Sequence, residues 1–407
     1  MKILQLTNKV PFPPRDGGAI ASLTLARELT KSGHEVVVLA MNTSKHFIDE
    51  HDVTTDQDPS IFLPGLTFEI VPVNTSIRWS KALANLLFSR MPYNAIRFIS
   101  GDYRNKLRRL LTENHFDFII LDNLYTGLYL TDIRSCTDSP VVLRPHNIEH
   151  EIWARTAKSS AGLKRIYLTI LAHRIRRFEL SLINRYDALV PITSRDAGHF
   201  ANFGNKKPCH VLPTGMDLPD QTLNYPVALR ASVAHLGALD WLPNQNGIRW
   251  FIRLVWPVVR REIPGIEFHL AGRNAPHRFE AQVSSPGVVF HGEIDNASAF
   301  IRQHPIFIVP VFSGSGMRIK LLDYLSAGRA TITTTIGAEG IPVVGGRETL
   351  ISDQPEEFAH HIISLVRNPD LCREIGENAI TFIKNNFDNQ VLIGQLLEFL
   401  NTIDTRS

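Results

Sequence analysis

The chain has 407 residues, 44% of them hydrophobic and 20% charged, with no low-complexity tract, so it can bury apolar surface along its length and is not a disordered polymer. One hydrophobic core stops growing well before this size, and two domains are expected. Net charge is only +3, yet residues 1–215 hold 27 Lys and Arg against 20 Asp and Glu (+7), while residues 216–407 hold 16 against 20 (−4).

Cys136, Cys209 and Cys372 are far apart and form no CxxC pair, so neither a disulfide framework nor a cysteine zinc site is indicated, and they are read as buried packing residues. The apolar run at Met1–Thr7 is too short for a signal peptide, and no later stretch is long enough to span a membrane. The expected location is therefore cytoplasmic. The basic first half admits an anionic acceptor, a peripheral membrane contact or a plain solvated surface, and nothing in it points to nucleic acid.

In chain order, Lys2–Thr7 reads as a buried strand, followed by a loop with Pro11, Pro13, Pro14, Gly17 and Gly18. A helical stretch follows, with Leu23, Ala26, Leu29 and Thr30 on one face. Gly33 caps it, and Glu35–Leu39 is the next strand, which completes a βαβ unit and implies a parallel sheet covered by helices. Further strands are expected at Phe68–Pro72, Asp117–Leu121, Pro140–Leu143 and Asp187–Pro191. Turn chemistry with Pro219, Asp220, Asn224 and Pro226 places a hinge at 216–230. A second alternation has strands at Ser232–Leu236, Glu267–Ala271, Val288–His291, Ile306–Val311 and Ala330–Thr334, with helices such as Gln245–Arg261 and Met317–Ala327. The fold class is α/β, with Rossmann-like domains at 1–215 and 231–385. The amphipathic segment 386–407 outlasts the second domain and is read as crossing back to the first.

Two loops could receive an anion. Gly17-Gly18 lies between the first strand and the first helix, but it is not GxGxxG, so the dinucleotide fingerprint fails and a plain turn is an equal reading. In Phe312–Asp323 a strand runs through Gly314-Ser315-Gly316 into a helix that carries Arg318, Lys320 and Asp323, a suitable cradle for a diphosphate. Lys320 and Asp323 share a helix face, which fits a surface salt bridge as well as a ligand site. His146, in an Arg-Pro-His-Asn loop, follows the strand Pro140–Leu143 at the sheet edge where α/β folds bind ligands. Lys158–Arg177 interleaves Lys164, Arg165, Arg174, Arg176 and Arg177 with Ile166, Leu168 and Leu171, a pattern that suits either a solvated helix or a membrane surface. No His/Cys cluster with ligand spacing suggests a metal.

Taken together, the Gly17-Gly18 loop, Arg144–His150, Leu212–Asp217, Leu236–Asn244 and Gly314–Gly328 resemble glycosyltransferase family four over nearly the whole chain. The resemblance implies the GT-B architecture, two Rossmann-like domains facing each other across a cleft, and transfer of a sugar with retained configuration. It implies a nucleotide diphosphate sugar as substrate, with no other cofactor, and a glycan or lipid-linked acceptor. The donor would meet Gly314, Ser315, Gly316, Arg318, Lys320 and Asp323, and His146 would serve catalysis. Two departures stand out. Ser315 and Asp323 occupy the positions of the family's common glutamate pair, and Gly237–Gly247 lacks the Arg and Lys that the family often places there to hold the diphosphate. A nucleotide-sugar epimerase of the same architecture and a non-catalytic nucleotide-sugar-binding subunit are the rival readings.

Overall fold

The computed structural model describes residues 1–14, 16–44, 47–48, 63–216, 231–314 and 317–403. They divide into two compact units, Met1–Gly215 with Asn389–Ser407, and Met216–Asp388. The hinge stretch 216–230, Met216 apart, lies outside the described residues, as do Ser315 and Gly316.

The first unit is built on a six-stranded parallel sheet of β1 (Lys2–Thr7), β2 (Glu35–Thr43), β3 (Leu66–Val73), β4 (Phe118–Asp122), β5 (Val141–Arg144) and β6 (Ala188–Leu189), in the order β3-β2-β1-β4-β5-β6. Its strands are apolar on both faces because helices cover both. From β1, Leu4 and Leu6 join the core under the helices Gly101–Glu113 and Gly162–Leu182, while Ile3 joins the opposite core with Leu25, Ala26 and Leu29 of the helix Gly17–Lys31. Gly33 has a φ of +84° directly after that helix, a backbone state that glycine adopts without a Cβ penalty.

The helix Asn389–Asn401 belongs to this unit. Leu392, Ile393, Leu396 and Leu400 pack in the same core as Ile3 and Leu29. The chain therefore returns to its first unit at its end.

The second unit has a sheet of β7 (Ser232–Leu236), β8 (Glu267–Ala271), β9 (Val288–Gly292), β10 (Ile306–Val309), β11 (Ala330–Thr333) and β12 (Leu350–Ile351), in the order β12-β11-β10-β7-β8-β9 and again parallel. Val233, Leu270 and Ile308 face one core and Ala234, Phe307 and Val309 the other. β12 was not foreseen, because two residues carry no readable period. The helix expected at Gln245–Arg261 is instead Leu242–Trp250, a π turn at Phe251–Val255 and a helix at Trp256–Glu262. Pro257 has no N–H to donate to the preceding turn, and the helix widens ahead of it. The helix expected from Met317 begins at Ile319.

In each sheet the strand order reverses once, between β1 and β4 in the first and between β7 and β10 in the second. Loops leaving the carboxyl ends of strands at such a switch point form the ligand crevice of open α/β sheets.

The C-terminal helix should matter to the first unit alone. Leu396→Ala empties a fully buried site and should cost about 2–5 kcal/mol. Limited proteolysis of the variant should cut first within residues 1–215; preferential cutting within 231–388 would contradict the assignment of this helix.

Candidate functional site

In the first unit, β1, β4 and β5 end together, with Thr7 paired to Asp122 and Asp122 paired to Arg144. The Asp122 carboxylate is fully buried and collects three partners. Arg144 Nη1 donates to its Oδ1 at 2.9 Å, Gln5 Nε2 donates to its Oδ2 at 2.8 Å, and His146 Nε2 lies 2.6 Å from Oδ1. Burial would raise this carboxyl, but the charges of His146 and Arg144 outweigh it and hold the group well below the usual carboxylate range. With Nε2 turned to Asp122, His146 presents Nδ1 to the start of the helix Gly17–Lys31. A Cβ on Gly18 would stand 3.3 Å from that nitrogen and 3.1 Å from Lys9 Nζ. Gly18 thus admits His146 and Lys9 to the helix start. Asp16 caps the helix by accepting from the Ala19 N–H and also pairs with Lys9, so part of this terminus is already bound to a carboxylate. Gly17 is the first residue of the helix.

Glu149 and His150, flanking the same loop, open the helix Glu149–Lys158. The buried Glu179 accepts from the Glu149 N–H at 3.0 Å through Oε1, and its Oε2 lies 2.5 Å from His150 Nδ1. Tyr125 donates its hydroxyl to Glu149. Burial, then the charge of Glu179, pushes the Glu149 carboxyl up to about 7. A neighbouring carboxylate pair is therefore present, its members 30 positions apart in the sequence. Both oxygens of Glu179 are engaged in bracing the helix start.

In the second unit, the loop after β7 and the stretch after β10 flank the switch point. Arg318 precedes the helix Ile319–Ser326 with φ −87° and ψ 89°, outside helical geometry. Arg318 and Lys320 would point apart on a regular helix, yet here they converge on Trp241, the guanidinium 5.5 Å and the ammonium 5.8 Å from the ring centroid. Lys320 Nζ donates to Asn244 Oδ1 at 2.6 Å, and Asn244 Nδ2 donates to the Ala238 carbonyl at 2.7 Å, which ties the cation to the β7 loop. A Cβ on Gly237 would lie 2.7 Å from that ammonium. Gly314 has φ +117°, and its absent Cβ would lie 2.9 Å from the Trp241 ring, so glycine is required for conformation and for space.

Loss of hydration, then the Arg318 charge, lowers Lys320 to about 7, and burial raises the Asp323 carboxyl to about 6 despite Lys320. No ion pair joins Lys320 to Asp323 among the described residues, so of the two readings the spacing allowed, the surface salt bridge is not formed, and two partly buried groups share one face. His235 lies below the loop, donating Nδ1–H to the Ile308 carbonyl at 2.9 Å; burial, then Lys320, lowers it to about 3. It is neutral, and its Nε2 is a bare buried acceptor.

The sequence picked out Arg318, Lys320, Asp323 and Gly314, and the structure brings all four to one place; Ser315 and Gly316 lie outside the described residues. Asp122, Gln5, Trp241, Asn244 and His235 were not singled out as site residues. Asp122 and His235 each end or interrupt a buried apolar strand, and that polar residue in an apolar run was the available signal.

Two Rossmann-like units with polar clusters at their switch points define the nucleotide-sugar transferase architecture known as GT-B. A family model for Glycosyltransferase Family 4 matches residues 15–219, and one for Glycosyl transferases group 1 matches residues 230–368. The chain belongs to glycosyltransferase family 4. It is 24% identical over 415 residues to an uncharacterized 44.6 kDa protein in the cps region of Klebsiella pneumoniae, covering 98% of this chain and 99% of that protein. It is 34% identical over 106 residues to an uncharacterized glycosyltransferase of Methanocaldococcus jannaschii, a match that spans 25% of this chain and 27% of the other. Among solved structures, Anabaena HepE in complex with UDP superposes with a TM-score of 0.68 at 14% identity, covering 99% of this chain and 100% of the other. Sucrose-phosphate synthase from Thermosynechococcus elongatus gives 0.69 at 14% identity, with the same coverage.

Two of the partners of Asp122, Arg144 and His146, separate folding from chemistry. Asp122→Asn leaves Arg144 buried without its counter-charge and should cost about 3–5 kcal/mol of stability. His146→Ala leaves the Asp122–Arg144 pair and the Gln5 bond intact, and should lower turnover about a hundredfold or more while the melting temperature stays near that of the parent. A His146→Ala variant that melts early and still turns over would return this histidine to a structural role.

Proposed function

We propose that the chain is a retaining glycosyltransferase that moves a hexosyl or related sugar from a nucleotide diphosphate donor to the hydroxyl of a glycan or lipid-linked acceptor, in polysaccharide or glycolipid assembly. The observation that carries this reading is the convergence of Arg318 and Lys320 on Trp241 at the switch point of the second sheet, with Asp323 one turn further along. Two cations beside a loop that needs glycine suit a diphosphate, and a carboxylate one turn away suits the ribose hydroxyls. HepE, which shares the fold, has been solved with UDP-glucose, and the Klebsiella relative lies in a cps region; both agree with this choice of donor class and process.

In this reading the second unit holds the donor and the first takes the acceptor. The acceptor oxygen attacks the anomeric carbon on the face from which the diphosphate departs, the bond from that carbon to the diphosphate breaks, and a donor phosphate oxygen takes the acceptor's proton. Arg318 and Lys320 stabilise the negative charge that grows on the leaving diphosphate. His146, held by Asp122, serves the transfer step from the first unit. The chemistry asks the protein for position and countercharge more than for a dedicated base.

Lys320→Ala should weaken a nucleoside diphosphate by about tenfold or more and the nucleoside little, since a charge-assisted contact is worth roughly 1.5–3 kcal/mol. The lysine is also expected to change protonation. Its free value of about 7 leaves it largely neutral about one pH unit higher, and a bound diphosphate favours the ammonium. Binding at that pH should therefore take up close to one proton, read by calorimetry in buffers of different ionisation enthalpy, and the uptake should vanish in Lys320→Ala. Equal losses for both ligands, with unaltered proton uptake, would remove Lys320 from the phosphate site.

The countercharge in this scheme comes from side chains. Turnover should accordingly persist after exhaustive chelation, and abolition that Mg²⁺ or Mn²⁺ reverses would contradict the scheme.

A further inference from the structure

One surface of the first unit takes no part in this reading. The helices Trp79–Phe88 and Gly162–Leu182 are joined by Arg174, whose guanidinium donates to the carbonyls of Asn85 at 3.0 Å and Leu86 at 2.7 Å. The second helix turns Leu168, Leu171, Ile175 and Phe178 into the core. Its outer face carries Leu163 (85% exposed), Ile166 (59%) and Ile170 (37%), spaced three and four apart. On the first helix, Leu83 (59%), Leu87 (66%) and Phe88 (87%) are equally bare. These six account for nearly half of the fourteen large apolar side chains that stand exposed among the described residues. A monomer seldom leaves such a cluster uncovered without use.

The charge around them has one sign. No Asp or Glu occurs between Ile70 and Gly101, or between Ile152 and Phe178. Both stretches carry exposed cations, among them Lys81, Arg90, Lys158, Lys164, Arg165 and Arg177, and none of these is in an ion pair among the described residues. Exposed apolar side chains on helices, flanked by cations and free of carboxylates, are the composition of a surface that lies in the headgroup layer of an anionic bilayer. A second copy of the chain fits poorly, since it would set cation against cation.

We propose that this helix pair docks the protein on an anionic lipid bilayer, with Leu83, Leu87, Phe88, Leu163, Ile166 and Ile170 entering the headgroup and acyl boundary and the surrounding cations meeting lipid phosphates. The surface would hold the first unit beside lipid-linked acceptors, but its existence does not depend on the transfer reaction. Binding is measured without turnover, and a negative result leaves the proposed chemistry untouched.

The test is co-flotation of the full chain with vesicles of phosphatidylcholine alone and of phosphatidylcholine mixed equally with phosphatidylglycerol. The protein should float with the mixed vesicles and stay behind with the neutral ones, and raised salt should weaken the binding. Leu87→Asp with Phe88→Asp, at sites too exposed to disturb folding, should reduce binding about tenfold or more. Lys164→Glu with Arg165→Glu should do the same. Both variants should keep the parent's melting temperature and nucleoside diphosphate affinity. Equal flotation with both kinds of vesicle, or flotation that neither pair of substitutions alters, would overturn the proposal. So would an absence of flotation, including the case in which the Asp pair converts a dimer to a monomer by light scattering and thereby assigns the surface to a second copy.

Discussion

A buried carboxylate at the end of β4 sets the geometry on which the first unit's site depends. Asp122 has no exposed side-chain surface, and its partners come from β1, from the end of β5 and from the loop beyond it. An isolated charge in that position would be prohibitively costly, so its partners are obligatory, and each must arrive in register. Parallel pairing of β1 with β4 and of β4 with β5 supplies that register, because a one-residue slip would turn Asp122 or Gln5 to the other face. The same carboxylate that closes the core also fixes which nitrogen of His146 faces inward. Folding and the presentation of Nδ1 are thus parts of one arrangement.

The second unit solves a related problem with the opposite sign. Two cations stand at its switch point with no carboxylate ion-paired to Lys320 among the described residues, and the side chains that hold that lysine are neutral, the Trp241 ring and the Asn244 amide, with a histidine beneath them that burial keeps uncharged. Neutral partners position the ammonium without neutralising it. Burial is the main cause of both shifts there, lowering Lys320 and raising the Asp323 carboxyl, with the Arg318 charge adding to the first and the Lys320 charge opposing the second.

Most of the fold was legible because the strands are apolar runs bounded by turn residues. β1, β7 and β8 fall on the ranges read from the sequence, and the two alternations of strand and helix give the two sheets. The return of Asn389–Asn401 to the first unit was visible only as surplus length. The π turn was hidden because Pro257 sits one turn after a helical pattern that otherwise runs on. At the sites, local signals sufficed for Gly314, Arg318, Lys320 and Asp323, which lie within ten residues of one another. Asp122 and His146 are separated by 24 positions and Asn244 and Lys320 by 76, so only the sheet order and the loops leaving it bring them together. No residue spacing encodes that.

The departure noted in the β7 loop follows from the same packing. Gly237–Gly247 has no Arg or Lys, and in the folded unit this loop receives a cation that arises elsewhere: Lys320 reaches across to Asn244 and occupies the space beside Gly237. A lysine or arginine added to the loop would meet the ammonium already there, and a side chain at Gly237 would have to displace it. Position and charge are therefore linked. Gly237, Asn244 and Trp241 make room for and hold a cation that comes from the helix beyond β10, so the missing cations of the loop and its glycine are two sides of one arrangement.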